Sequence, residues 1–138
     1  MTEPECAPTL SEFLALVRDE FSFLSDFGFV EVRAPAHRAS EKFQVWFSAG
    51  DRSVVVRGSG YGLMVDVTLE TPEFWLYDQR LTVTEPPRRR RARREPTSQS
   101  EEIHKAARRV RGGAADFLNG DLTRFQQRAE PLPEYLRP

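Results

Sequence analysis

The stretch KFQVWFSAGDRSVVVRG, residues 42–58, decides the fold. Its first half alternates, with Phe43, Val45 and Phe47 on one side of an extended chain and Gln44, Trp46 and Ser48 on the other. Ala49-Gly50-Asp51 supplies a short turn, and the β-branched run that follows predicts a hairpin of strands Lys42–Ser48 and Arg52–Arg57. One face of this hairpin is strongly apolar and needs a covering layer. The other carries Trp46, a large aromatic that a helix, the basic segment further along the chain, or a partner must cover.

The chain on either side extends the sheet. Gly58-Ser59-Gly60-Tyr61-Gly62 reads as a turn, because it joins two strands and leads into no helix N-terminus that could cradle a phosphate. After it, Leu63, Val65, Val67 and Leu69 alternate inward with Met64, Asp66, Thr68 and Glu70 outward, which predicts an antiparallel meander with one wet face. Upstream, Phe29–Arg33 reads as a first strand, and APAHRASE, residues 34–41, as a polar connection. EFWLYDQRLTV, residues 73–83, is read either as a fifth strand or as a short helical connection placing Trp75 and Tyr77 against the sheet edge.

Helices flank the sheet region. Leu10, Phe13, Leu14, Val17, Phe21 and Leu24 form one stripe, with Thr9 and Glu12 in capping-box spacing, so a helix is predicted from Leu10 to Ser25 or Asp26. Its end contains Asp26-Phe27-Gly28, the triplet whose Asp holds magnesium in protein kinases. A kinase also needs a glycine loop, a strand lysine and a His-Arg-Asp loop, which the upstream sequence lacks. Gly28 is therefore expected as a helix C-cap between core residues Phe27 and Phe29. A second helix is predicted from near Ser100 through Ile103, Ala107, Val110, Ala114 and Phe117, with a break or bend at Gly112-Gly113 and an end or restart at Gly120 or Asp121. Leu122 and Phe125 continue its apolar face, and EPLPEYLRP closes the chain.

The 138 residues fit one domain, with 39% hydrophobic and 30% charged residues. The expected organisation is a helix plus meander over residues 1–84, a flexible Arg/Pro-rich loop over 85–100, and a C-terminal helical part over 101–138, all within one α+β domain. The net charge of −1 hides an asymmetry: removing the six arginines between Arg88 and Arg94 leaves −7 on the rest. Cys6 is the single cysteine, so neither an internal disulfide nor a thiolate zinc cluster can be built from this chain, and a reducing cytoplasm is the expected setting. No signal peptide and no run of about 18 apolar residues is legible, which predicts no membrane role. Eighteen Arg against two Lys points to a GC-rich, bacterial-type coding sequence.

Candidates for chemistry are few. Asp66 and Glu70 share the outer face of a strand and could act as an acid and base pair with His104, the constellation a small enzyme would need. Alternation alone also explains two polar residues there. His37 and His104 have no second histidine or cysteine at ligand spacing, so no metal or other cofactor is expected. The run Arg88-Arg89-Arg90-Arg91, with Arg93 and Arg94, could grip phosphates and give salt-sensitive nucleic-acid binding, or it could be a solvated loop balancing an acidic body. Trp46, Trp75 and Tyr77 join these six arginines as candidate partner contacts, since aromatics and Arg are enriched at binding hot spots.

FLSDFGF (residues 23–29), VWFSAGDRSVVV (45–56) and AADFLNGDLTRF (114–125), in this order, resemble small bacterial proteins found beside polymorphic toxin genes and regarded as immunity proteins. The resemblance covers most of the chain except the arginine run. It implies a stoichiometric, non-catalytic protein binder and assigns no site residues. The alternatives are a nucleic-acid-associated protein using Arg88–Arg94 and a small enzyme.

Overall fold

The computed structural model describes residues 9–38, 42–59, 64–82 and 98–136. They form an α+β fold in which six antiparallel strands follow one another in sheet order: β1 (Val30–Val32), β2 (Gln44–Ala49), β3 (Arg52–Ser59), β4 (Met64–Glu70), β5 (Phe74–Tyr77) and β6 (Glu130–Pro131). Five helices, α1 (Leu10–Glu20), α2 (Asp78–Thr82), α3 (Gln99–Gly113), α4 (Ala115–Leu118) and α5 (Thr123–Arg128), complete it. The register places Val45 opposite Val56 and Val56 opposite Val67; one rung along, Phe47, Val54, Leu69 and Leu76 are neighbours in turn. These rungs make the apolar face. Phe13 and Val17 of α1 and Ile103, Ala106, Ala107 and Val110 of α3 close over it, with Phe117 and Phe125 completing one continuous core.

Local chemistry explains the element ends. Thr9 and Ser98 each begin a helix with a complete capping box, to Glu12 and Glu101 respectively, satisfying backbone donors that a helix start leaves open. The first helix ends earlier than its apolar stripe predicts: α1 stops at Glu20, and Ser22–Phe27 tightens into a 3-10 turn that still buries Leu24. The chain then leaves through Gly28 at φ 86°, a left-handed conformation that costs glycine little. Phe29 is buried and Phe27 packs against the core, while Asp26 is exposed. Thus Asp-Phe-Gly is a helix exit here.

The break expected at Gly112-Gly113 is present, at Ala114, between α3 and α4. Both alternatives for residues 73–83 are realised in sequence, since Phe74–Tyr77 is a strand and Asp78–Thr82 a helix. The Pro-rich tail, expected only to close the chain, adds β6 beside β5. Pro131 lacks a backbone donor and is tolerated because β6 is an edge. Gly58 and Ser59, expected in a turn, are the last residues of β3, and residues 60–63 lie outside the described residues. The same holds for Arg88, Arg89, Arg90, Arg91, Arg93 and Arg94, within residues 83–97.

Several arginines serve inside the fold. Arg52 donates to the carbonyls of Phe117 and Leu118 at the end of α4 and stacks on Phe29, 5.1 Å from the ring centre. Arg124 donates to Leu81 O in α2 and Gly113 O in α3 while forking onto Asp116. Arg128 reaches Arg80 O and Leu81 O. Three helix C-termini, with their open carbonyls and partial negative charge, are thus closed by guanidinium groups. The Arg124 fork holds the Asp116 carboxyl below its ordinary range. Asp78, almost fully buried against Arg109, is pushed up instead, because loss of solvent outweighs the ion pair.

Candidate functional site

The face of the sheet turned away from the helices carries Gln44, Trp46 and Ser48 from β2, Ser53, Val55 and Arg57 from β3, Asp66, Thr68 and Glu70 from β4, and Trp75 and Tyr77 from β5. Alternation predicts a wet face here, on which Trp46 needs a cover. Thr68 and Glu70 are instead buried, and Trp46 and Val55 are buried with them. The reason is a cover that no periodic signal announces. A 3-10 turn, Ala36–Arg38, swings the polar connection over the sheet, and Arg38 lies on the Trp46 indole, 4.9 Å from its ring centre, while forking onto Glu70 at 3.1 and 2.9 Å.

Glu70 is the hub of this cover. Its side chain is 5% exposed and that of Arg38 8%. Oε2 of Glu70 also accepts the Thr68 hydroxyl proton at 3.1 Å and faces Arg57 Nη2 at 3.6 Å. Two guanidinium groups therefore meet one carboxylate in a largely desolvated place, where an unpaired charge is costly. The Trp46 N–H donates to Gln44 Oε1 at 2.9 Å, and Gln44 Nε2 donates to the Arg38 carbonyl at 2.8 Å, which fixes the turn to the strand.

The C-terminal segment supplies a second wall. Leu132 donates its N–H to the Glu73 carbonyl at 2.8 Å and buries its side chain. A 3-10 turn, Glu134–Leu136, then reaches His37. Since a carbonyl only accepts, Nε2–H of His37 is the donor to Leu136 O, at 3.0 Å. Arg38 and this wall divide the face into two hollows. The smaller, about 240 Å³, lies between Trp46, Ser53 and Pro72. The larger, about 520 Å³, is floored by Arg57, Thr68 and Glu70 and walled by Trp75, Tyr77 and Tyr135. Trp75 and Tyr77 meet edge to face, ring centres 4.9 Å apart and planes at 85°, and so form a corner. Tyr77 is 40% exposed and Tyr135 76%.

The structure thus brings Trp75 and Tyr77 together at the larger hollow and adds Tyr135, which the sequence reading left in the tail. Trp46 shares their face, but as a contact it is corrected: Arg38 covers its ring, and only 6% of the residue is exposed. The six arginines of the Arg88–Arg94 run lie outside the described residues. Asp66 and Glu70 are on the outer face, whereas His104 sits on α3 in the helix layer and bonds Glu20 Oε1 at 2.9 Å. The three do not assemble. Among the described residues no group of His, Cys, Asp and Glu is placed to hold a metal ion, and no helix is long and apolar enough to cross a membrane. Sequence patterning missed Arg38 and Arg57, because a pair between positions 38 and 70 leaves no local mark.

Set against protein-family models, curated proteins and solved structures, the chain matches none.

Proposed function

We propose that the protein is a stoichiometric protein-binding domain of the immunity or antitoxin kind, acting by occupying a partner's surface and performing no chemistry itself. The observation that carries this is the aromatic corner of half-buried Trp75 and exposed Tyr77, extended by exposed Tyr135, on the rim of the larger hollow. Exposed Tyr rings around a half-buried Trp and a charged floor are the composition of an interface hot spot, where rigid rings supply contact area at little entropic cost. The floor supports recognition rather than catalysis, because Glu70 is already engaged by Arg38 and Thr68. Asp66, Glu70 and His104, the groups a hydrolytic pair would draw on, are split between opposite layers of the fold.

The test is affinity capture from the native cell, with the wild type and the Tyr77→Ser/Tyr135→Ser variant side by side. The expected result is one protein recovered in equimolar amount by the wild type and lost by the variant, with unchanged near-UV circular dichroism. Full retention by the variant would overturn the proposal. So would salt-sensitive recovery of nucleic acid that disappears when the six arginines become Gln, or turnover by the purified protein alone.

A further inference from the structure

Arg57 has an unspent valence. Its side chain is only 25% exposed, yet among the described residues it makes no hydrogen bond, and its single ion contact is the 3.6 Å approach to Glu70. Glu70 gives both of its oxygens to Arg38, and one of them to Thr68 as well. Arg38, Arg57 and Glu70 together leave one positive charge over, and Arg57 lines the larger hollow along with Asp66. Asp66 stands opposite Arg57 across β3 and β4, but it is exposed and forms no ion pair among the described residues. A half-buried cation with donors to spare favours an anion beside it. The planar fork of a guanidinium matches a carboxylate, and the adjacent right-angled corner of Trp75 and Tyr77 suits an apolar or aromatic group beside it.

Resting on the protein-binding role, we propose that the larger hollow takes a carboxylate of the partner protein, a side-chain or C-terminal carboxylate flanked by an apolar group. Arg57 forks onto its two oxygens and the Trp75–Tyr77 corner holds its neighbour.

The probe is N-acetyl-phenylalanine, titrated into the intact protein while the Trp75 indole and Arg57 Nε resonances are followed by NMR. N-acetyl-phenylalanine amide and inorganic phosphate are the comparison ligands. The expected result is saturable binding with a Kd on the order of millimolar, weakened about tenfold or more for the amide. Arg57→Gln abolishes it, and Arg57→Lys, which offers no fork, weakens it about fivefold or more. Asp66→Asn removes an opposing negative charge and strengthens binding about two- to fivefold, a gain that a misfolded variant cannot mimic. The assignment is overturned by non-saturable shifts, by an amide that binds as well as the acid, by phosphate binding more tightly than the carboxylate, or by Asp66→Asn weakening the complex. If the probe fails while Tyr77→Ser/Tyr135→Ser still abolishes capture, only the carboxylate assignment falls. If the probe binds while capture ignores the aromatic rim, the protein-binding role falls and a small-molecule site is left.

Discussion

Replacing Arg38 by Met tests whether the outer face is held by its buried ion pair. Met keeps an unbranched stem over Trp46 but removes two charge-assisted hydrogen bonds to Glu70, at 3.1 and 2.9 Å, and the cation above the indole. Glu70, 5% exposed in the wild type, would keep the Thr68 hydroxyl, now at 3.1 Å, and Arg57, now at 3.6 Å, as its remaining partners. Removing one member of a buried pair costs about 3 to 5 kcal/mol, and the lost cation–π contact adds about 1. Arg57 closing on Glu70 recovers about 1 to 2 kcal/mol, as a charged hydrogen bond does. The net expectation is about 3 kcal/mol. For a chain of 138 residues the unfolding entropy is about 0.3 kcal/mol per degree, so Tm falls by about 10 °C. Urea unfolding followed by Trp fluorescence measures both this loss and the change in Trp46 emission once the cation above it is gone. The double variant Arg38→Met/Glu70→Leu removes the stranded charge as well and is expected to recover most of the loss, since an apolar replacement of a buried pair is often near neutral. A single variant within about 1 kcal/mol of wild type, or a double variant less stable than the single, would refute the account of Glu70 as a charge that depends on its cover.

Two glycines give changes of opposite sign. Gly28→Ala is expected to destabilise by about 1 to 2 kcal/mol from its φ of 86° alone, because the added Cβ meets nothing within 4 Å. Gly112→Ala, in α3 with equally open space, is expected to stabilise by about 0.5 to 1 kcal/mol in the same urea assay. Asp116 is held low by Arg124, so its stabilisation is complete above the unfolded carboxyl value of about 3.9 and is lost as pH falls through the lower folded value. The stability gap between wild type and Asp116→Asn should therefore widen as pH rises from about 3 to about 6. Asp78 is raised by burial, so its contribution is present below about 3.9 and is lost as pH rises through the higher folded value. The gap between wild type and Asp78→Asn should narrow over the same interval, and two gaps of equal slope would contradict the assigned causes.

The periodic parts of the fold were legible residue by residue. Period-2 alternation in residues 43–48 and 65–70 and helical spacing from Leu10 and Ile103 identified which side chains meet in the core. The capping box at Thr9 and the left-handed Gly28 follow from equally local chemistry, whereas the box at Ser98 starts the second helix within the stretch expected as a flexible loop. One outcome contradicts the alternation rule, for Thr68 and Glu70 point outward and are buried. Alternation tells which way a side chain faces, and it carries no information about what lies above it. The hollow on that face depends on Arg38 reaching Glu70, 32 positions away, and on Leu136 meeting His37 across 99 positions.

By itself, then, the sequence determined a helix-covered antiparallel sheet, because burial of one face imposes a period that a single chain displays. Tertiary structure alone decided that the second face is roofed, that Trp46 is withdrawn, and that Arg57 is left with donors to offer. Those facts depend on which distant segments share a place once the chain has closed, and charge pairing between them follows no repeat.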